Sequence, residues 1–335
     1  MRKQRRWIHR WLIVLVLAAL GSSRTAVLCA DDSLLSEARR ERGTIRWYTA
    51  LNVNGSKPLA DAFEKKYPFV KIDVTRLSNE RILNRIFAEA KSAAPQFDVT
   101  SFAYLPLLAE KNLLAAYQSP QTQAYLEGFF DPKSHWATMY SNLIVLGYNT
   151  RQVSAATAPK DWSDLLAPQW SEKIGMDPEV GIWYGAMLHF LGKERGDKFF
   201  RSLAQQKIQW RRGHSLLAQL MTAGEFPLAL VYAFNISQLQ HTGAPVNWMT
   251  TAKPIVATTS GVGISAKTDA PASSKLFVDF ALSLEGQKVI VQTGRFSARK
   301  DLQTLSDLKT YAVPDAVVLN LGKYLQEFTQ AFHPS

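Results

Sequence analysis

Residues 44–101 read TIRWYTALNVNGSKPLADAFEKKYPFVKIDVTRLSNERILNRIFAEAKSAAPQFDVTS. Thr44 to Thr49 alternates in polarity and runs into the polar stretch Ala50 to Lys57, the pattern of a half-buried strand that opens into a loop. A helix is expected from Pro58 to Tyr67, closed by Pro68. Val70 to Thr75 alternates again, and Ser78 or Asn79 then caps a helix whose apolar face is Ile82, Leu83, Ile86, Phe87 and Ala90. Phe97 to Ser101 forms a third strand. Strand-then-helix units repeated at this spacing predict an α/β fold with a largely parallel sheet, its strand-end loops facing one crevice where a ligand binds.

Outward from this stretch, an apolar strand over Asn142 to Tyr148 ends in Tyr148-Asn149-Thr150, after which the composition turns to Ala, Pro and Lys before Trp162. A lobe boundary is expected there. Helices are expected over Trp183 to Gly192, Gly196 to Gln205 and Leu216 to Ala223, and an apolar strand over Leu228 to Tyr232. Gly261 to Ser265 reads as a short strand, and Ala272 to Ser283 as a helix. A chain of 335 residues has room for two lobes, each with its own core. The expected division puts residues 44–146 with 261–305 in one lobe and 147–260 in the other. Residues 306–335 form a helical tail assigned to neither.

The chain opens with Arg2, Lys3, Arg5, Arg6 and Arg10, followed by an apolar run from Trp11 to Leu20 that is too short to span a bilayer. This reads as an export signal over residues 1–30, cleaved near Ala30 to leave Asp31 first. Loss of that segment removes six basic residues and no acid, so the formal charge falls from +11 to +5. A balance that small gives no footing for a nucleic-acid role. Cys29, the only cysteine, departs with the signal and leaves no disulfide or thiolate chemistry. A lipid anchor on Cys29 is the alternative, but Leu28 stands where a small residue is wanted.

Several motifs in order resemble those of the periplasmic solute-binding proteins of the ferric-iron-type cluster. They are Tyr48-Thr49-Ala50, Ala62 to Pro68, Phe97-Asp98-Val99, Gly147 to Thr150, Pro159 to Leu166, Lys173-Ile174, Asp177-Pro178, Phe277 to Phe280 and Ser283 to Gln287. The resemblance implies a two-lobed, type II periplasmic-binding-protein fold with the ligand cleft between lobes that close by hinge motion. It also implies a periplasmic carrier that works with an inner-membrane ABC permease and its ATPase, without catalysis, cofactor or nucleic acid, and as a monomer. Family ligands include ferric ion, polyamines, thiamine, phosphonates and phosphorylated sugars, so the pocket must decide.

Ferric-iron members carry adjacent tyrosines after the strand that here is Leu228 to Tyr232, because phenolates suit a hard cation. Phe234 and Asn235 stand at those positions, with Tyr232 two residues early. His135, His189, His214 and His241 are scattered singly, without metal-ligand spacing, and no metal site is expected. Thr49, Asn52, Ser78, Asn79 and Ser101 are the neutral donors at the strand ends, where converging helix N-termini favour an anion. Each also reads as a simple helix cap. From the second lobe, Arg211 can grip a carboxylate or phosphate, while Trp210-Arg211-Arg212 also fits a solvated strand end. Gly181 lies at a helix start. Trp183 either stacks on a ligand or packs in a core. Tyr232, Asn235 and Ser260 complete the set.

Clustered acids for a polyamine are lacking, since the cleft loops offer mainly Glu80 and Glu179. The pocket therefore favours a small organic or phosphorus-containing anion, with ferric ion as the alternative. An enzyme is disfavoured by the lack of a nucleophile with a paired base, a phosphate loop or a metal cluster. Docking on a membrane signalling receptor needs the same closed lobes as transport, and the sequence does not separate the two.

Overall fold

The computed structural model describes residues 32–91, 96–305 and 308–332. The expected signal segment, with Cys29 and the cleavage point at Ala30, lies outside them. After helix α1 over 32–38, the chain runs through β1 (Thr44–Thr49), α2 (Val53–Lys66), β2 (Lys71–Arg76), α3 (Asn79–Glu89), β3 (Val99–Phe102), α4 (Leu105–Glu110) and β4 (Leu114–Ala115). The middle holds β5 (Ala137–Asn149), β6 (Ile174–Met176), α5 (Gly181–Leu191), α6 (Lys193–Ala204), β7 (Gln209–Trp210), α7 (His214–Ala223), β8 (Leu228–Tyr232), α8 (Ala233–His241) and β9 (Val246–Trp248). The last third comprises β10 (Ile255–Ser265), α9 (Pro271–Leu282), α10 (Leu284–Gln292), β11 (Thr310–Ala312), α11 (Asp315–Leu319) and α12 (Leu321–Phe332). No helix among the described residues is long and apolar enough to cross a membrane.

The strands follow the order β2-β1-β3-β10-β5-β8-β6-β7, with β4 and β11 on β10 and β9 on β5. β1 pairs parallel with both β2 and β3, as the opening stretch predicts. Two long antiparallel strands, β5 and β10, join the halves. β10 contacts β3 over Gly261 to Ile264, while β5 turns to β8 from Ile144 onward. Their mutual pairing slips by one residue between Ser260 and Gly261, and a bulge of this kind sharpens the local bend.

Two sequence expectations are corrected here. The strand expected over Gly261 to Ser265 begins six residues earlier, at Ile255, and the helix expected from Pro58 begins at Val53. Proline favours a first turn, but the amides of Gly55 and Ser56 already bond to the Asn52 carbonyl, so the helix is under way before Pro58 arrives.

The first half is anchored at Asp98, whose carboxylate is fully buried. It accepts from the Arg46 amide at 2.8 Å, from the Arg46 guanidinium at 3.0 Å, from Thr268 Oγ1 at 2.8 Å and from Arg42. These bonds tie β1, β3 and the loop before α9 together, and they hold the Asp98 carboxyl below its usual range against the opposing pull of burial. Above them Trp47, Phe63 and Phe277 meet edge to face at 5.0 and 5.2 Å.

The tail, unassigned from sequence, extends β10 through β11 and then lays α12 across α5. Glycines permit that approach. A Cβ on Gly181 would lie 2.6 Å from Leu325 Cδ2, and one on Gly185 would lie 2.8 Å from the Tyr324 ring and from Val317. Phe328 and Phe332 complete the contact against Trp210, Tyr184 and Phe200.

Candidate functional site

Between the two halves lies a cleft of about 710 Å³, the size of a site for a small organic ligand. Its floor is the crossing of β5 and β10, which contributes Tyr140, Asn142, Thr258, Thr259 and Ser260. Ser260 is buried against the Tyr140 phenol, and Thr258 Oγ1 donates to the Asn142 carbonyl at 3.1 Å.

The floor's one cation is Arg295, from the segment that follows α10. Phe296 and Ser141 exchange backbone hydrogen bonds of 2.8 and 3.3 Å, and this bridge sets Arg295 beside β5. Its guanidinium donates to Asn142 Oδ1 and lies 4.2 Å from the Phe234 ring centre and 5.2 Å from that of Tyr140. Among the described residues it has no carboxylate partner. Burial lowers its affinity for a proton, as expected of a cation drawn from water without a counter-charge. A guanidinium has five N–H donors, so most of them are left for a ligand.

Tyr232 closes one side. It stacks on Phe234 at 5.7 Å and meets the His214 ring at a tilt at 4.2 Å, and burial pushes its phenol up to about 12. Burial also lowers the His214 imidazole. The opposite wall carries Asn79, Glu80 and Leu83 of α3, Leu107 of α4 and Tyr104 just before α4.

Of the eleven residues singled out from sequence, Asn79, Tyr232 and Ser260 line this cleft. Asn79 spends its Oδ1 on the Ala103 amide at 3.1 Å, and Ser78 caps α3 through the Arg81 amide. Thr49 and Ser101 are buried and bonded to each other at 2.7 Å, with Trp47 Nε1 also donating to Ser101. Asn52 precedes α2 with its Oδ1 buried and unpartnered. Gly181 is covered by Leu325 of the tail, and Trp183 packs in the core between Trp162 and Phe200 at 5.3 and 5.4 Å. Arg211 is held by Glu225 and the Trp210 carbonyl, away from the cleft lining. Asn235 is buried and donates to Ser215 at 3.2 Å.

Arg295, Tyr140, Asn142 and Phe234 lining the floor were not found from sequence as ligand contacts. Arg295 sits in Gly294-Arg295-Phe296, which matches no ligand motif, and only the bridge to Ser141 gives it meaning. Among the described residues no three His, Cys, Asp or Glu side chains are grouped to hold a metal ion.

Residues 97–317 match the family described as bacterial extracellular solute-binding protein. An uncharacterized protein of Haemophilus influenzae is 25% identical over 288 residues, which covers 82% of each chain. Iron-bound HitA from Pseudomonas aeruginosa superposes with a TM-score of 0.74 at 20% identity, over 86% of this chain and 99% of its own. The periplasmic binding protein AfuA from Actinobacillus pleuropneumoniae, with fructose-6-phosphate bound, gives a TM-score of 0.71 at 21% identity, over 88% of this chain and 100% of its own. At such identities the two structures speak for the fold, a type II arrangement of two lobes with the cleft between them. With that fold and a family match running from the third strand into the tail, the chain belongs to the bacterial extracellular solute-binding proteins.

Proposed function

We propose that this protein captures a small organic or phosphorus-containing anion in the periplasm by lobe closure and delivers it to an inner-membrane ABC permease driven by its ATPase. Arg295 carries the reading. A guanidinium on the cleft floor, without a carboxylate partner among the described residues and flanked by Asn142, Thr258, Thr259 and Ser260, is a ready seat for a carboxylate or phosphonate. The strand crossing beneath it supplies the hinge. Binding across both halves favours the closed form by as much as the ligand prefers that form.

HitA holds iron and AfuA a sugar phosphate, so the relatives leave the ligand class to the pocket. Phenolates are hard donors that suit ferric ion, and here Phe234 and Asn235, not tyrosines, follow Tyr232. A trivalent cation at this floor would also face the guanidinium of Arg295.

The test is a thermal-shift screen of the purified protein against phosphonates, carboxylates, phosphorylated sugars, ferric citrate and polyamines. A ligand at a hundred times its Kd adds about 2.7 kcal/mol, enough to raise the midpoint visibly. A rise with anions is expected. A rise with ferric ion alone, or with polyamines alone, overturns the proposal.

A further inference from the structure

The cleft is not polar throughout. Above the floor, Leu83 and Leu107 of α3 and α4 face a second wall built from Ile182 of α5 with Leu321 and Leu325 of the tail. All five are half-buried, with surface left toward the cleft. The polar groups at this level each hold one partner. Glu80 accepts from the Tyr104 hydroxyl at 3.1 Å, Asn79 holds the Ala103 amide, and Glu179 pairs with Arg212 at 3.1 Å. A polyhydroxylated ligand would bury hydroxyls against leucine and isoleucine, and a buried polar group without a partner is costly. The floor carries the cation and the run of hydroxyls, the leucines and isoleucine sit above it, and the tail helix supplies part of that apolar surface.

Resting on the anion reading above, we infer that the ligand is amphipathic: an acidic head on Arg295 and an aromatic or branched aliphatic body between α3–α4 and the tail helix α12. Three observations select this occupant. The guanidinium calls for one anionic group, the cleft has room for a body beyond that group, and the walls offer that body apolar contact. Residues of the C-terminal tail thus act as specificity determinants, a role for which the glycine-permitted approach of α12 to α5 is the structural precondition.

Calorimetric titration with methyl-, propyl- and phenylphosphonate, with acetate, butyrate and benzoate as the carboxylate arm, and with fructose-6-phosphate tests this. In whichever series binds, affinity is expected to rise about fourfold per added methylene until the cleft is filled. The phenyl compound is expected to outrank the sugar phosphate at least tenfold. Leu83→Gln and Leu321→Gln, on opposite walls, should each flatten the series, weakening the longest members several-fold more than the shortest.

Equal affinity along the series, or tighter binding of the sugar phosphate than of the phenyl anion, overturns the amphipathic inference and leaves the anion reading standing. Equal weakening of every anion by both substitutions also overturns it, because the walls would then serve only closure of lobe on lobe. Failure of every anion to bind defeats the anion reading itself.

Discussion

Replacing Asp98 with asparagine preserves the shape of the side chain and removes a charge from the joint between β1, β3 and α9. In the native chain Oδ2 takes the Arg46 amide, Arg46 Nε and Arg42, and Oδ1 takes Arg46 Nη2 and Thr268. An asparagine offers a single acceptor oxygen, so one of these sets of donors loses its partner and meets an amide N–H instead. Breaking a buried ion pair from one side costs about 3–5 kcal/mol. Arg42 and Arg46 are 30% and 25% exposed, so water recovers part of that. The expected loss is about 2–4 kcal/mol, read from urea unfolding at neutral pH.

The pH dependence supplies an independent check. The Asp98 carboxyl titrates below its ordinary value in the folded protein. Its contribution is therefore full above the unfolded value of about 3.9 and fades as pH falls through the folded one. The gap between native protein and variant should narrow progressively below about pH 4. A loss under about 1 kcal/mol at neutral pH, less than one ordinary hydrogen bond with a charged group, or a gap that widens with acid, would refute the reasoning.

Other outcomes follow from the same contacts. Arg211→Ala should leave ligand affinity within twofold and stability within about 0.5 kcal/mol, because its partner is the exposed Glu225 outside the cleft; titration and urea unfolding check both. Gly185→Val drives a Cβ into Tyr324 and Val317, and overpacking of this kind costs about 1–3 kcal/mol. Hydrogen exchange should then speed up over α12 while the amides of β1 and β3 keep their protection. Removing the Trp47 hydrogen bond by Ser101→Ala leaves the buried indole N–H unpartnered and should cost about 1–3 kcal/mol in urea unfolding, with no loss of ligand affinity.

The first half of the fold is legible because its strands alternate and its helices carry clean apolar faces. Ile45 and Trp47 of β1 and Ile82 of α3, for instance, are buried as that pattern requires. The strand crossing was harder. β10 is covered on both faces, and its run Ala257-Thr258-Thr259-Ser260-Gly261 has neither alternation nor bulk to mark it. Helix α8 starts directly at the end of β8 with no side-chain cap, so the strand gave no sign that a helix follows.

The site was partly legible, and for a related reason. Asn79, Tyr232 and Ser260 lie where strand ends and the late crossover place them, and they face the cleft. Arg211 looked like an anion grip because adjacency in sequence hides its partner, Glu225, 14 residues on. Arg295 looked like nothing at all, since its neighbours Asn142 and Tyr140 are remote in the chain and meet it through the Phe296–Ser141 bridge. Trp183, an aromatic near a helix start, sinks into the core because α5 is apolar on nearly every face.

The anion seat on Arg295 is tested most directly by calorimetric titration of the native protein and the Arg295→Gln variant, side by side, with the anion that gives the largest thermal shift. Loss of a charge-assisted contact on a largely buried cation costs about 2 kcal/mol or more, so the variant should bind at least about thirtyfold more weakly while unfolding in urea as a single cooperative transition. An affinity within twofold of the native protein would place the anion elsewhere and contradict the account.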